Sequence, residues 1–315
     1  MNGSRIAAVG HHQPARVLTN DELADLVDTS DEWIRSRVGI RTRRIAGPDE
    51  PVDELAAHAA GKALAQAGLA PDDVDLVVVA TSTAEDRSPN TAARVAARLG
   101  IPQPAAMDVN VVCAGFTHAL ATADHAVRAG AATRALVVGA DKMSAVTDWS
   151  DRTTCVLVGD GAGAALVEAC PPGRSAEIGP VLWGSAPEMG NAVRIEGTPP
   201  RFAQEGQSVY RWATTRLPRL ARQTCERAGI APEDLAAVVL HQANLRIIEP
   251  LAARLGATRA VIARDVTESG NTSAASIPIA LSKLVERGEV TAGDPVLLFG
   301  FGGNLSYAGQ VVRCP

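Results

Sequence analysis

The chain has 315 residues, 46% of them hydrophobic and 21% charged, about twice the length of a typical single domain. This composition excludes disordered, collagen-like and fibrous chains, and no apolar run approaches the ~18 residues a membrane helix needs. Thirty basic against 35 acidic residues give a net charge of −5 with 3% aromatics, which argues against a nucleic-acid partner.

From the amino end, Met1-Asn-Gly-Ser-Arg5 is too short and polar for a secretory leader, and five scattered cysteines without a disulfide framework imply reduced thiols and a cytoplasmic location. Thr29-Ser-Asp-Glu32 reads as a capping box opening a helix that carries Trp33 and Arg37 on one face. Helices are predicted over 53–67, 89–99, 114–129, 207–228 and 274–287. Strands are predicted at 76–80, 105–111, 135–139, 237–241 and 296–300. Ala-rich helical segments alternating with short Val/Leu runs mark βαβ units and buried sheets. Gly159-Asp-Gly-Ala-Gly-Ala164 resembles a dinucleotide loop, but too few residues follow before Pro171 for the helix that fingerprint requires. It reads instead as strand, glycine-rich turn, strand. Prolines 171, 172, 180, 187 and 199 mark 171–203 as a crossover and surface loop.

The chain contains its own repeat. Ala67-Gly-Leu-Ala-Pro-Asp-Asp-Val74 returns as Ala228-Gly-Ile-Ala-Pro-Glu-Asp-Leu235, an offset of 161. Ala96-Ala-Arg-Leu-Gly100 returns as Ala252-Ala-Arg-Leu-Gly256 at offset 156, and Leu136-Val-Val-Gly139 pairs with Leu297-Leu-Phe-Gly300 at 161. Ordered matches at nearly one offset imply two homologous halves, 1–170 and 171–315.

In such sheets ligands meet the carboxyl ends of strands, and three reactive side chains stand there. Cys113 follows Met107-Asp-Val-Asn-Val-Val112 where a helix begins. It reads either as an inert buried thiol or as a nucleophile whose pKa the helix dipole lowers. His241 ends Ala237-Val-Val-Leu240 at the repeat position of Ala80, and reads alone as a satisfied buried histidine. Asn271 falls at about the repeat position of Cys113, and alone reads as a helix N-cap. Jointly, Cys, His and Asn at three strand ends favour a thiol catalyst. The other histidines (11, 12, 58, 118, 125) form no zinc spacing, and the five cysteines form no disulfide framework or CxxC pattern.

Val112-Cys-Ala-Gly-Phe116, Asp151-Arg152 leading to Val158-Gly-Asp-Gly-Ala-Gly-Ala164, His241-Gln-Ala-Asn-Leu-Arg-Ile-Ile248 and Gly270-Asn-Thr-Ser-Ala-Ala-Ser-Ile-Pro278 resemble β-ketoacyl-acyl carrier protein synthase III. The resemblance runs from Thr29 through Gly303. It implies an α/β, thiolase-like five-layered fold made of two homologous βαβαβαββ halves, working as a homodimer. Cys113, His241 and Asn271 would be the catalytic triad, with the amides of Cys113 and Gly303 as an oxyanion hole. Trp33, Arg37 and Arg152 would hold the adenine end of acyl-CoA. Gly206, Tyr210, Ala243, Asn244 and Phe301 would line its tunnel. Arg211 and Arg246 would meet an acidic carrier protein. Acyl-CoA is a substrate here, and neither cofactor nor metal is implied.

The implied reaction is a decarboxylating condensation of an acyl-CoA primer with malonyl-acyl carrier protein. Non-decarboxylating acyl transfer to an alcohol or amine, and a non-catalytic partner subunit, are the alternatives; the retained cysteine argues against the latter. The chain departs from the family at Asn304, which adds a side chain where a small residue is usual. It departs again at Ser88, where many members place an aromatic that bounds the partner's acyl pocket, and in a shorter 185–203 segment. These departures imply altered acyl or acceptor choice.

Overall fold

Leu76-Val-Val-Val-Ala80 offers no polar face, and it forms a strand, β4, whose every residue is buried. That demand for cover on both sides organises the molecule. The structure, a computed structural model, describes residues 3–315; Met1 and Asn2, which begin the segment read as no leader, lie outside the described residues. One sheet runs in the order β1 (Ser4–His12), β7 (Asp160–Ala169), β6 (Arg134–Lys142), β4, β5 (Ala105–Val109). The other runs β8 (Leu182–Gly184), β14 (Tyr307–Arg313), β13 (Pro295–Phe301), β11 (Ala237–Leu240), β12 (Val261–Ile262). Strand order and direction are the same in both: β4 is parallel to β5 and β6, as β11 is to β12 and β13. Register agrees too, since Leu76 lies opposite Ala135 and Ala237 opposite Val296, each 161 positions on. Two ribbons, β2 (Val17–Thr19) with β3 (Thr42–Arg44) and β9 (Val193–Glu196) with β10 (Arg201–Gln204), decorate this frame.

Helices α3 (Val52–Ala67) and α4 (Thr91–Leu99) cover the first sheet, while α7 (Leu217–Ala228), α8 (Leu245–Leu255) and α6 (Gly206–Thr215) cover the second. Between the sheets lie α5 (Gly115–Arg128) and α10 (Ser276–Glu286), which are apolar on several faces because they touch both. The result is the five-layered, thiolase-like α/β architecture. Short helices α1 (Asn20–Ala24), α2 (Asp31–Val38) and α9 (Val266–Ser269) complete the chain.

Several local readings are corrected. The predicted helix 207–228 is two helices meeting at Arg216 and Leu217, because Pro218 has no N–H to continue the ladder. Residues 160–169 form one continuous strand without a turn. Its glycines serve close packing: a Cβ on Gly163 would lie 2.6 Å from Ile279 N, inside α10. The cap of α2 is Ser30, whose side chain accepts the Trp33 N–H, so the reciprocal box predicted at Thr29 is absent. The segment 185–203 is no simple surface loop, since Ala186, Ala192, Val193 and Phe202 enter the core.

Candidate active site

Each half turns from strand to central helix through one 3-10 turn, Val112–Ala114 before α5 and Ser273–Ala275 before α10. Both turns open on a left-handed residue, Val112 at φ 46° and Ser273 at φ 50°. A β-branched residue there is strained, and such strain gathers at functional sites. The two turns stand 161 residues apart, as the paired strands do, which corrects the sequence register: Cys113 corresponds to Ala274, and Asn271 corresponds to Asn110. The offset misled because the loop after β4 is longer than its counterpart, and the α9 segment later restores the difference.

Cys113 sits in the turn, 6% exposed. Its Sγ lies 3.7 Å from the Ser273 hydroxyl. Gly302, at φ 150°, lies so close that a Cβ there would be 2.6 Å from Cys113 Cβ, so only glycine fits. Of the two readings of this thiol, the pKa follows that of a buried one. Burial, with the nearby Asp141 charge, pushes it up to about 11, and the opposing Ser273 hydroxyl and Gly303 amide are too weak to reverse that. The resting thiol is therefore neutral.

His241 is buried at the end of β11, edge-on to Phe301 with ring centroids 5.3 Å apart. Burial lowers its pKa to about 3, so the ring is neutral. Its Nδ1 lies 2.8 Å from the Ser276 hydroxyl, which itself accepts the Gln242 N–H at 3.3 Å. Nδ1 is thus engaged by Ser276, and Nε2 is the ring nitrogen left to meet a ligand. Ser276 orients the ring, and nothing in the pattern of residues announced that role. Asn271 uses its Oδ1 to accept the Ser273 N–H at 2.9 Å, so its NH₂ is the end left to donate. Residues 271–276 thus connect all three sequence-predicted groups.

The remaining predicted residues fall into two places. A cleft of about 620 Å³ is lined by Arg37, Gly206, Tyr210, Arg211, Asn244 and Arg246, together with Gln204, Gln207, Val209, Thr214 and Ile247. Asn244 also caps α8, accepting the Ile247 N–H, and Ala243 is half-buried beside it. Outside it, the Arg152 guanidinium stacks on Trp33 at 4.8 Å and donates to Asp28 O. Ser88 is exposed on the loop after β4 and does not enter the buried cluster. Asn304, at φ 58°, is likewise exposed, which corrects the expectation of a side chain intruding near Cys113. Asparagine tolerates that left-handed backbone.

The chain matches the family 3-oxoacyl-[acyl-carrier-protein (ACP)] synthase III over residues 107–187 and the C-terminal part of the same family over 225–314. It is 85% identical, over the full length of both chains, to beta-ketoacyl-[acyl-carrier-protein] synthase III 2 of Streptomyces avermitilis. A second relative, synthase III 1 of Streptomyces coelicolor, is 40% identical over 99% of this chain and 96% of its own. The crystal structure of the priming β-ketosynthase from the R1128 polyketide biosynthetic pathway superimposes with a TM-score of 0.97 at 40% identity, covering 100% of this chain and 97% of that one. The synthase III of Aquifex aeolicus superimposes at 0.94 with 38% identity, over 99% and 100%.

Proposed function

The chain belongs to the β-ketoacyl-[acyl-carrier-protein] synthase III family, and we propose that it condenses an acyl-CoA primer with malonyl-acyl carrier protein, with loss of CO₂. The primer thioester is attacked by Cys113 Sγ, CoA leaves as its thiol, and a thioester to Cys113 remains. The malonyl group then loses CO₂ to give a thioester enolate. That carbanion attacks the Cys113 thioester, and expulsion of the thiolate yields the 3-oxoacyl-carrier protein. The observation that supports this most is that Ser276 engages His241 Nδ1 while the Ser273 N–H engages Asn271 Oδ1: with Nδ1 as acceptor, Nε2–H and the Asn271 NH₂ are two donors suited to an enolate oxygen. The Cys113 and Gly303 amides would serve the tetrahedral adduct.

The Asn271 NH₂ beside the imidazole favours decarboxylation over acyl transfer to an alcohol or amine, which needs a base alone and no second donor. A buried reactive triad argues against a non-catalytic subunit. Trp33, Arg37 and Arg152 would take the nucleotide of CoA. Gly206, Tyr210, Ala243, Asn244 and Phe301 would line the route of its arm, and Arg211 and Arg246 would meet the carrier protein. The unpaired outer edge of β5, with Met107 40% exposed, suits pairing with a second copy, which would bring each Ser88 loop toward its partner. No helix among the described residues is long and apolar enough to cross a membrane, and a cytoplasmic homodimer is the reading we adopt.

The test is release of labelled CO₂ from malonyl-carrier protein in the presence of acyl-CoA. His241→Ala and Asn271→Ala should still form the acyl adduct on Cys113, seen by intact mass, yet lose decarboxylation by about 10²-fold or more. Turnover that releases no CO₂ and acylates an alcohol or amine instead would replace this reading with simple acyl transfer.

A further inference from the structure

The two halves differ most instructively where they should agree. Across the internal repeat, Cys113 corresponds to Ala274, and Gly302 and Gly303 correspond to Asp141 and Lys142 at the end of β6. Near the nucleophile, the N–H groups of Cys113 and Gly303 meet no acceptor of secondary structure or side chain among the described residues other than the Cys113 sulfur. In the mirror position the equivalent amides are both occupied. Ala274 N–H donates to Asp141 Oδ2 at 3.0 Å, and Lys142 N–H donates to Thr83 Oγ1 at 2.8 Å. Glycine leaves the first pocket open. Aspartate fills the second.

The Asp141 carboxylate is fully buried without an ion-pair partner among the described residues. Its Oδ1 accepts from Ser82 N at 2.8 Å, Ser82 Oγ at 3.1 Å, Thr83 Oγ1 at 2.9 Å and Thr81 Oγ1 at 3.2 Å. Burial raises the Asp141 pKa, and the donors from Ser82, Ala274 and Thr83 oppose that rise, so the group is held by the convergence of donors an oxyanion requires. The consequence reaches the reacting groups through one short turn. Asp141 holds Ala274, the residue beside Ser273, whose N–H fixes Asn271 and whose hydroxyl faces Cys113 Sγ.

We propose that Asp141 is a positioning residue: a built-in carboxyl group that occupies the mirror image of the oxyanion hole and thereby sets the 271–275 turn, with Asn271 and Ser273, against Cys113. The mirror pocket is therefore closed to substrate, and a single nucleophile serves a two-fold frame. The proposal rests on the condensation reading for its kinetic consequence. A displacement of about 1 Å in a reacting group can cost about 10²-fold in rate, and Asn271 is the group this carboxylate locates.

The experiment uses Asp141→Asn, which keeps size but places an NH₂ among donors, with Ser82→Ala as a milder variant that retains the Ser82 N–H. Asp141→Asn should acylate Cys113 from acyl-CoA within about threefold of wild type, while its malonyl decarboxylation falls about 10²-fold in kcat at unchanged KM. Its Cys113 alkylation profile should shift to lower pH, because a neighbouring negative charge has gone; Ser82→Ala, which keeps Asp141, should lose decarboxylation to an intermediate degree and leave the alkylation profile close to wild type. Acylation and decarboxylation lost in the same proportion, with the alkylation profile unmoved, would make Asp141 merely structural and overturn the proposal. Full decarboxylation in Asp141→Asn would overturn it equally. If wild type itself releases no CO₂, the condensation reading fails, and the alkylation profile alone decides for or against Asp141. Should Asp141→Asn not fold, Ser82→Ala carries the same two readings: selective loss of decarboxylation supports the proposal, and proportional loss ends it.

Discussion

The thiol and the imidazole of the triad are both pushed by burial toward their neutral forms, Cys113 to about 11 and His241 to about 3. This separates the protein from thiol catalysts that rest as a thiolate–imidazolium pair, since neither group gains from ionising the other. The sign of the pH dependence follows. The thiolate is the nucleophile, so below pH 11 its fraction rises about tenfold with each pH unit. Alkylation of Cys113 by iodoacetamide in the free enzyme should climb in that proportion from pH 6 to 9 without a plateau. An inflection near pH 6 or 7 would mean an ion pair and would contradict the neutral imidazole. Because burial lowers the His241 pKa to about 3, the ring should add no acidic limb between pH 5 and 8.

At the scale of elements, the seam between the halves is made by close approach of backbone to backbone. Strand β7 meets α10 where Gly163 leaves no room: an added Cβ would lie 2.6 Å from Ile279 N and 2.7 Å from the Pro278 carbonyl carbon. Backbone cannot yield as a side-chain end can, so Gly163→Val should destabilise by about 1–3 kcal/mol, each kcal/mol lowering Tm by about 2–4 °C. Gly61→Ala is the matched control. It lies within α3 with its nearest neighbour at 3.6 Å, and should leave Tm unchanged or raise it through the better helix former. A Gly163→Val protein as stable as wild type would show that α10 can slide. This seam also explains what the chain made legible. Runs such as Leu76–Ala80 and Ala237–Leu240 have one reading, because residues apolar on both faces must lie inside a sheet, and they fall where predicted. The glycines at 159–163 mimic a turn locally, and their need is set by a helix more than a hundred residues away. Cys113 and His241 were visible because they follow strands β5 and β11, whereas Asn271 follows α9, nine residues beyond β12, and was legible through its Gly270-Asn-Thr-Ser motif rather than through a strand end. Ser276, Asp141 and the true register of Asn271 were not, since each acts through a contact that exists only after the halves close on each other.

Over the whole molecule the charge is −5, yet Arg37, Arg211 and Arg246 meet at the large cleft, and none joins an ion pair among the described residues. An acidic protein that leaves three guanidinium groups uncommitted at one opening has an electrostatic reason to attract an acidic partner there and to repel it elsewhere. Such rim charges act chiefly on encounter, and they are screened over about 10 Å at ~0.1 M salt. Raising salt should therefore increase KM for malonyl-carrier protein while hardly touching acylation from a saturating acyl-CoA. Arg211→Glu and Arg246→Glu should each raise that KM severalfold and flatten its salt dependence, with kcat nearly unchanged because neither side chain reaches the buried triad. Steady-state kinetics at two ionic strengths, with carrier-bound and CoA-bound malonyl groups compared, separates the possibilities. If the charge reversals weaken both malonyl donors alike, the arginines serve the thioester arm rather than the carrier. If they weaken neither, the acidic partner docks on another face of the molecule.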